Sequence, residues 1–332
     1  MANGDKGKCW VGFDLGGTKM MAVVFDEDFK ILARDRKKTK GHEGVQAGMA
    51  RIVELVHEAL DQAGMKPEQV KGIGVGSPGP LDLNRGVILD TPNLGWKEAP
   101  LKKTLESAFD CPASVINDVD AGVYGEYRFG AAKGARCVVG IFPGTGIGGG
   151  CVYEGTLIRG KVLSAFEIGH IPVMPDGPLC GCGNHGCLEA VASRLAIASA
   201  AAVAAFRGDA PHLMEEAGTD LREIRSSMLA HAIEEGDDAI KKIVVDAARW
   251  IGRGLATAVN LMAPDVVVLG GGLVEAMPKL FEKEVSRGLE DGVMAPFRGQ
   301  YKVTIAELGD DAAATGAAAW ARDVQQAGKG SK

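Results

Sequence analysis

The chain has 332 residues and a formal net charge of −6, with 46% apolar, 24% charged and 5% aromatic residues. This is a globular composition with room for two modest cores, and it excludes a disordered chain and a broad basic surface for nucleic acid. The polar start, Met1 to Lys8, and a first apolar run broken by Asp14 and two glycines fit neither a leader peptide nor a membrane span, so a cytoplasmic protein without nucleic-acid or membrane partners is expected.

Cys9 to Phe25 reads as a strand, a tight Asp14-Leu15-Gly16-Gly17-Thr18-Lys19 turn and a second strand from Met20. A third strand, Ile31 to Arg34, follows. Ile52, Val53, Leu55, Val56, Ala59 and Leu60 recur at helical spacing, which predicts a helix from Val45 to Ala63 stopped by Gly64. Val70 to Val75 is the next strand, and Gly76-Ser77-Pro78-Gly79-Pro80 is too rich in glycine and proline for regular structure. Pro100 to Phe109 reads as a helix. Ala113 to Ile116 is a short strand delivering Asn117 and Asp118 to its end, where ligands gather in α/β sheets.

The pattern begins again at Cys137. Val138 to Phe142 is a strand, Pro143 to Gly150 a turn with five glycines, and Cys151 to Tyr153 resumes the strand. A hairpin repeated over so long a period points to two related lobes rather than a solenoid. Helices over Glu189 to Arg207 and Asp237 to Met262 are expected next, then the strand Asp265 to Leu269 with Gly270-Gly271-Gly272, and a last helix from Ala312 to Gln326. The charged stretch between Gly208 and Arg225 reads as a solvated surface segment.

Three features carry chemistry. Glycines in the two turns let backbone N–H groups face an anion, and the Thr18 and Thr145 hydroxyls add donors, which suits polyphosphate. Neither turn matches the P-loop or the dinucleotide fingerprint, because each lies between two strands. Cys180, Cys182 and Cys187, with His170 or His185, supply three thiolates and an imidazole, the ligand set of a closed, structural zinc site. The Asn117-Asp118 pair by itself fits a helix cap or a turn as well as a catalytic carboxylate.

Taken together, GFDLGGTK, GSPGPLD, PNLGW, INDVDA, GTGIGGG, EIGHIPV, CGCGNHGCLE, VVLGGGL and GDDAAATGAA make the chain resemble the ROK family of sugar kinases and repressors, from Trp10 nearly to the C-terminus. The resemblance implies an α/β, two-lobe actin-like ATPase (ribonuclease H-like) fold with a cleft between lobes. The small lobe would be residues 1–117 plus 310–332 and the large lobe 118–309, hinged near Asp118 and Gly309. It implies Asp118 as the base that deprotonates a sugar hydroxyl. Gly79, Asn93, Asn117, Glu167, His170 and Glu189 would bind the sugar beside it. Asp14 would lie near Mg2+; Gly16, Gly17, Thr18, Lys19, Gly144, Thr145 and Gly146 near the phosphates; Gly271 and Gly272 near adenosine. It selects His170, with Cys180, Cys182 and Cys187, to hold structural Zn2+.

The implied reaction moves the γ-phosphoryl group of ATP to the 6-hydroxyl of a hexose, glucose foremost. The alternatives are an N-acetylhexosamine, N-acetylmannosamine or fructose kinase, polyphosphate as donor, and a sugar-sensing regulator without turnover. Repressors of the family add an N-terminal helix-turn-helix, which nine residues before Trp10 do not supply. The family habit is a homodimer or homotetramer. One departure stands out: Phe166 occupies a position where the family carries glycine. It is expected to narrow the pocket against N-acetylated hexosamines.

Overall fold

The computed structural model describes residues 7–91, 94–161 and 165–330. They divide into two compact units, residues 1–133 with 159–164 and 310–332, and residues 134–158 with 165–309.

The first unit opens with β1 (Cys9–Leu15), β2 (Lys19–Phe25) and β3 (Ile31–Lys38), an antiparallel meander. β3 runs four residues past its expected end. Its burial alternates along the whole length, and Arg36, Lys37 and Lys38 hid the pattern. Helix α1 (Val45–Ala63) buries Ile52, Leu55, Val56, Ala59 and Leu60 and ends at Gly64, whose φ of 62° suits glycine. β4 (Val70–Ser77) then pairs parallel with β1 and carries regular structure through Gly76 and Ser77. β5 (Leu81–Asp82), β6 (Val87–Thr91) and β7 (Trp96–Ala99) form a small antiparallel sheet that the sequence reading did not foresee. Helix α2 (Leu101–Phe109), β8 (Ala113–Asn117) and helix α3 (Asp118–Phe129) follow, and β8 pairs parallel with β4. The main sheet has the order β3-β2-β1-β4-β8.

The second unit repeats this order. β9 (Cys137–Pro143), β10 (Ile147–Tyr153) and β11 (Thr156–Leu157) form an antiparallel meander. A helical stretch follows: α4 (Leu188–Ala192), α5 (Arg194–Arg207), α6 (Pro211–Ala217), α7 (Ser226–Glu234) and α8 (Asp238–Met262). Then come β12 (Val266–Leu269), α9 (Gly272–Ala276), α10 (Pro278–Gly292) and β13 (Lys302–Ile305), giving the order β11-β10-β9-β12-β13 with β9, β12 and β13 parallel.

Three expectations change. Gly148 to Gly150 belong to β10 and not to a turn; a Cβ on Gly149 would stand 2.5 Å from the Ile168 side chain, so glycine there serves packing. The segment after Gly208 is not merely solvated, since α6 buries Leu213, and Ala210 and Ile224 join the same core. The predicted helix from Glu189 to Arg207 breaks at Ser193, whose ψ of 163° is extended while its hydroxyl caps α5. Among the described residues Leu188–Arg207 is the stretch long and apolar enough to cross a membrane. The break at Ser193, with Glu189 and Arg194 on either side of it, divides that stretch into two short helices.

The chain returns to the first unit as α11 (Ala312–Gly330). A Cβ on Gly12 would lie 2.0 Å from the Ala314 carbonyl oxygen, one on Gly74 1.8 Å from that of Ala317, and one on Gly316 1.7 Å from that of Ala121. Only glycine permits such approach, so α11 lies directly on β1, β4 and α3. The buried alanines Ala314, Ala317, Ala318 and Ala321 complete the contact, and Asp323 accepts hydrogen bonds from Tyr124 and Arg128 of α3. Because α3 packs on α11, the compact unit continues past residue 117 to Lys133.

Candidate functional site

In the first unit several of the candidate residues gather at the carboxyl ends of three neighbouring parallel strands. Asp14 of β1 is in register with Gly76 of β4, and Ser77 is in register with Asn117 of β8. A Cβ on Gly76 would meet the Asp118 Cα at 3.5 Å, an ordinary packing distance that places this strand end beside the start of α3. Asn117 caps α3: its Oδ1 accepts from the N–H groups of Val119 at 2.9 Å and Asp120 at 3.1 Å. Asp118 is the first residue of α3, and its Oδ1 accepts the Val119 N–H at 2.9 Å. The N-cap reading and the catalytic reading of this pair are thus compatible, because the cap uses only the oxygen of Asn117 and leaves its NH2 to donate.

Asp14 lines a crevice of about 150 Å3 with Lys19, Met20, Met21, Arg36 and Asp310. Burial pushes its carboxyl up to about 7, the charges of Asp118 and Asp310 push the same way, and Arg36 opposes them. Three carboxylates gathered this way form a site short of positive charge. Their oxygens are the donors that a hard divalent cation such as Mg2+ takes. Arg36 and Asp310 were not foreseen; nothing in their local sequence separates them from other surface charges.

The β1–β2 turn is held from β3. Thr39 donates its hydroxyl to the Gly16 carbonyl at 2.7 Å and its N–H to the Thr18 carbonyl at 2.9 Å. A Cβ on Gly16 would sit 2.6 Å from the Lys19 carbonyl oxygen, which explains glycine there. Gly17, Thr18 and Lys19 are exposed, as is Gly79 in the loop after β4. Asn93 lies outside the described residues.

In the second unit the β9–β10 turn is Gly144 to Gly146, closed by the Gly144 N–H on the Gly146 carbonyl at 2.8 Å. The Glu189 carboxylate accepts the Ile147 N–H at 2.9 Å. A Cβ on Gly146 would reach within 2.3 Å of that carboxylate, which is why the turn must be bare there. Arg194 donates its N–H to the Gly144 carbonyl at 2.9 Å and its guanidinium to the Thr145 hydroxyl at 2.7 Å. Arg194 is a contact that sequence reading missed. Gly271 has a φ of 82° and caps α9, while Gly270 packs so near Phe142 that a Cβ would lie 2.5 Å from its ring.

Glu167, Ile168, Gly169 and His170 make a tight turn in which the His170 N–H donates to the Glu167 carbonyl at 2.9 Å. A Cβ on Gly169 would fall 2.1 Å from the Ile147 carbonyl oxygen, so this turn is pressed onto the start of β10. Phe166 has a φ of 64°, a backbone conformation that favours glycine. Its side chain is partly buried against the core of the second unit and lines a cavity of about 250 Å3 with Thr257, Ala258, Leu261 and Met262 of α8.

The ligand atoms of His170, Cys180, Cys182 and Cys187 lie within 4.8 Å of one another. Cys180 Sγ is 3.6 Å from His170 Nδ1, and Cys182 Sγ is 3.6 Å from Cys187 Sγ. A tetrahedron with zinc–sulfur bonds of about 2.3 Å has edges of about 3.8 Å, so the cluster has the size of a zinc site. Without a cation, burial pushes the Cys187 thiol up to about 12, and three crowded thiolates need a positive charge. His185 is exposed, its Nδ1 faces the Gly177 carbonyl at 3.0 Å, and it does not belong to the cluster. All seven cysteines are free of disulfides.

Known proteins match this arrangement along nearly its whole length. The ROK family profile covers residues 10–324. A glucokinase of Streptomyces coelicolor is 34% identical over 321 residues, covering 94% of this chain and 97% of the relative. The crystal structure of a ROK family glucokinase from Streptomyces griseus in complex with glucose and AMPPNP superposes with a TM-score of 0.82 at 34% identity, covering 95% of this chain and 99% of that one. A ROK hexokinase from Thermus thermophilus gives 0.79 at 34% identity, with coverages of 96% and 99%. The fold is that of the actin-like ATPases, and the chain belongs to the ROK family.

Proposed function

We propose that the protein is a glucokinase, transferring the γ-phosphoryl group of ATP to the 6-hydroxyl of glucose. The observation that carries this reading is the placement of Asp118 at the carboxyl end of β8 with Asp14 at the same end of β1, one strand across the parallel sheet. Both the Streptomyces griseus glucokinase complex with glucose and AMPPNP and the full-length similarity to glucokinases support it.

Phosphoryl transfer asks little covalent chemistry of a protein: a base at the acceptor hydroxyl, donors and cations around the phosphates, and alignment. Asp118 takes the hydroxyl proton. Asn117 donates its NH2 to a sugar hydroxyl, its oxygen being committed to α3. Glu167, Glu189 and the Nε2 of His170 accept from or donate to the remaining hydroxyls, with Gly79 and Asn93 assigned to the same ligand by resemblance. Charge-assisted bonds of this kind favour carboxylates over amides. Gly16, Gly17, Thr18 and Lys19 on the first unit and Gly144, Thr145 and Gly146 on the second bind the phosphates. Gly271 and Gly272 lie against adenosine. Asp14 would hold Mg2+, which would screen the phosphate charge. His170, Cys180, Cys182 and Cys187 hold one Zn2+ that stiffens the segment carrying Glu189.

Two further parts of the reading concern the whole protein. Seven free thiols suit a reducing, cytoplasmic setting. Exposed apolar side chains such as Phe206 and Leu261 on the second unit favour a homodimer or homotetramer. The decisive experiment is coupled ADP release across a panel of hexoses, with ATP and with polyphosphate as donor. Glucose with ATP is expected to give the fastest turnover; ADP release that no hexose accelerates would overturn the reading.

A further inference from the structure

We infer that Arg194 is a positioning residue for the phosphoryl donor, acting through the Thr145 hydroxyl. This rests on the reading that the Gly144–Gly146 turn meets the donor's phosphates.

The argument starts from hydrogen-bond bookkeeping. A guanidinium only donates, and a threonine hydroxyl has one proton and two lone pairs. In the 2.7 Å contact between Arg194 and Thr145, the direction of the bond is therefore fixed: Arg194 donates and Oγ1 accepts. The single Thr145 proton must then point elsewhere. Thr145 is exposed at the tip of the turn, so that proton is available to an incoming anion. A free hydroxyl would spend part of its time presenting a lone pair to the phosphate; this one is biased to present its proton.

The same residue also removes an obstacle. Its backbone N–H binds the Gly144 carbonyl at 2.9 Å, turning a negative dipole of the turn toward α5. The Glu189 carboxylate accepts the Ile147 N–H at 2.9 Å, at the base of the turn. Arg194 thus supplies the positive charge at the tip while the carboxylate is held at the base. The ligand this suits is the terminal part of a triphosphate or a longer polyphosphate, and not a neutral sugar.

The test compares wild type, Arg194→Met, Arg194→Lys, Thr145→Val and the Arg194→Met/Thr145→Val double variant, each checked for zinc content and melting temperature. Two readouts are taken: KM for MgATP against KM for glucose, and direct binding of a non-hydrolysable ATP analogue with Mg2+. Arg194→Met is expected to weaken both nucleotide readouts about tenfold, the loss of one charge-assisted bond, with KM for glucose within twofold. Arg194→Lys should recover part of the loss. The double variant should be no worse than Thr145→Val, because the arginine acts through that hydroxyl. Nucleotide binding unchanged within twofold in Arg194→Met would overturn the inference, as would equal weakening toward both substrates or losses that multiply in the double variant. Because analogue binding does not need turnover, a protein that binds nucleotide through Arg194 but phosphorylates no hexose would sink the proposed function and leave this inference standing.

Discussion

The two glycine turns sit at the same place in sheets of the same strand order, yet they are built by different means. The β1–β2 turn is held by backbone carbonyls meeting Thr39, the residue just past β3, and its surroundings are acidic, with Asp118 and Asp310 acting on Asp14. The β9–β10 turn is held by two charged side chains, Glu189 and Arg194, delivered by helices that begin at the cysteine cluster. The difference teaches that one strand order can carry two glycine turns braced by different chemistry. The first unit's turn lies beside an excess of negative charge that suits a metal ion, and the second unit's turn is held by a carboxylate at its base and a guanidinium at its tip.

The largest way to break this comparison is to remove the base from the acidic end. Asp118→Asn keeps the shape and the Val119 contact but cannot accept a proton, so kcat is expected to fall at least 1000-fold, about 4 kcal/mol, with nucleotide binding nearly unchanged. Turnover within about tenfold of wild type, ~1.4 kcal/mol, would remove Asp118 from that role.

Next in size is the loss of the metal from the braced end. The purified protein is expected to carry about one zinc per chain, and Cys187→Ser should reduce this to a trace and cost a few kcal/mol of stability. Since Glu189 ties the cluster to the Ile147 N–H, hydrogen exchange should speed up at Ile147 while the Thr39 N–H stays protected. Active wild-type enzyme without metal, or equal loss of protection at both turns, would contradict this account.

The smallest effect sharpens the acidic end. Asp14 has a folded-state pKa near 7, above the ordinary carboxyl value of 3.8, so between these values the folded protein binds the extra proton. Stability from this group is complete below the lower value and declines as pH rises toward about 7. In metal-free buffer, wild type should therefore lose more stability than Asp14→Asn between pH 5 and pH 7.5, by a few kcal/mol at most, and Mg2+ should shrink the gap. Parallel melting curves for the two proteins across that range would show that Asp14 carries no such burden.

Most of the secondary structure was legible because it is local. Hairpin β1–β2, helices α1 and α8 and strand β12 follow from periodicity with glycine or proline punctuation, which depends on residues a few positions apart. The three thiolates of the metal cluster were legible for a similar reason, three cysteines within eight residues, while the choice of His170 over His185 came from the family resemblance and not from spacing. The β5–β7 sheet was not legible, since short strands with mixed burial leave no period to detect.

Glycine shows where the boundary between sequence and tertiary structure falls. The runs at positions 144–150 and 270–272 look alike as strings, yet Gly146 is bare for Glu189, Gly149 for Ile168 and Gly270 for Phe142. The amino-acid sequence determined by itself the family, the repeated glycine hairpin, the longest helices, the cysteine cluster and the Asn117-Asp118 step. Tertiary structure alone decided that Asp310 joins Asp14 and Asp118, that Arg194 grips Thr145, and that Gly12 and Gly74 meet α11 from some three hundred and two hundred and forty residues away. The reason is physical: periodicity and caps act over one or two turns of chain, whereas charge pairing and close packing depend on distance in space, which no local pattern records.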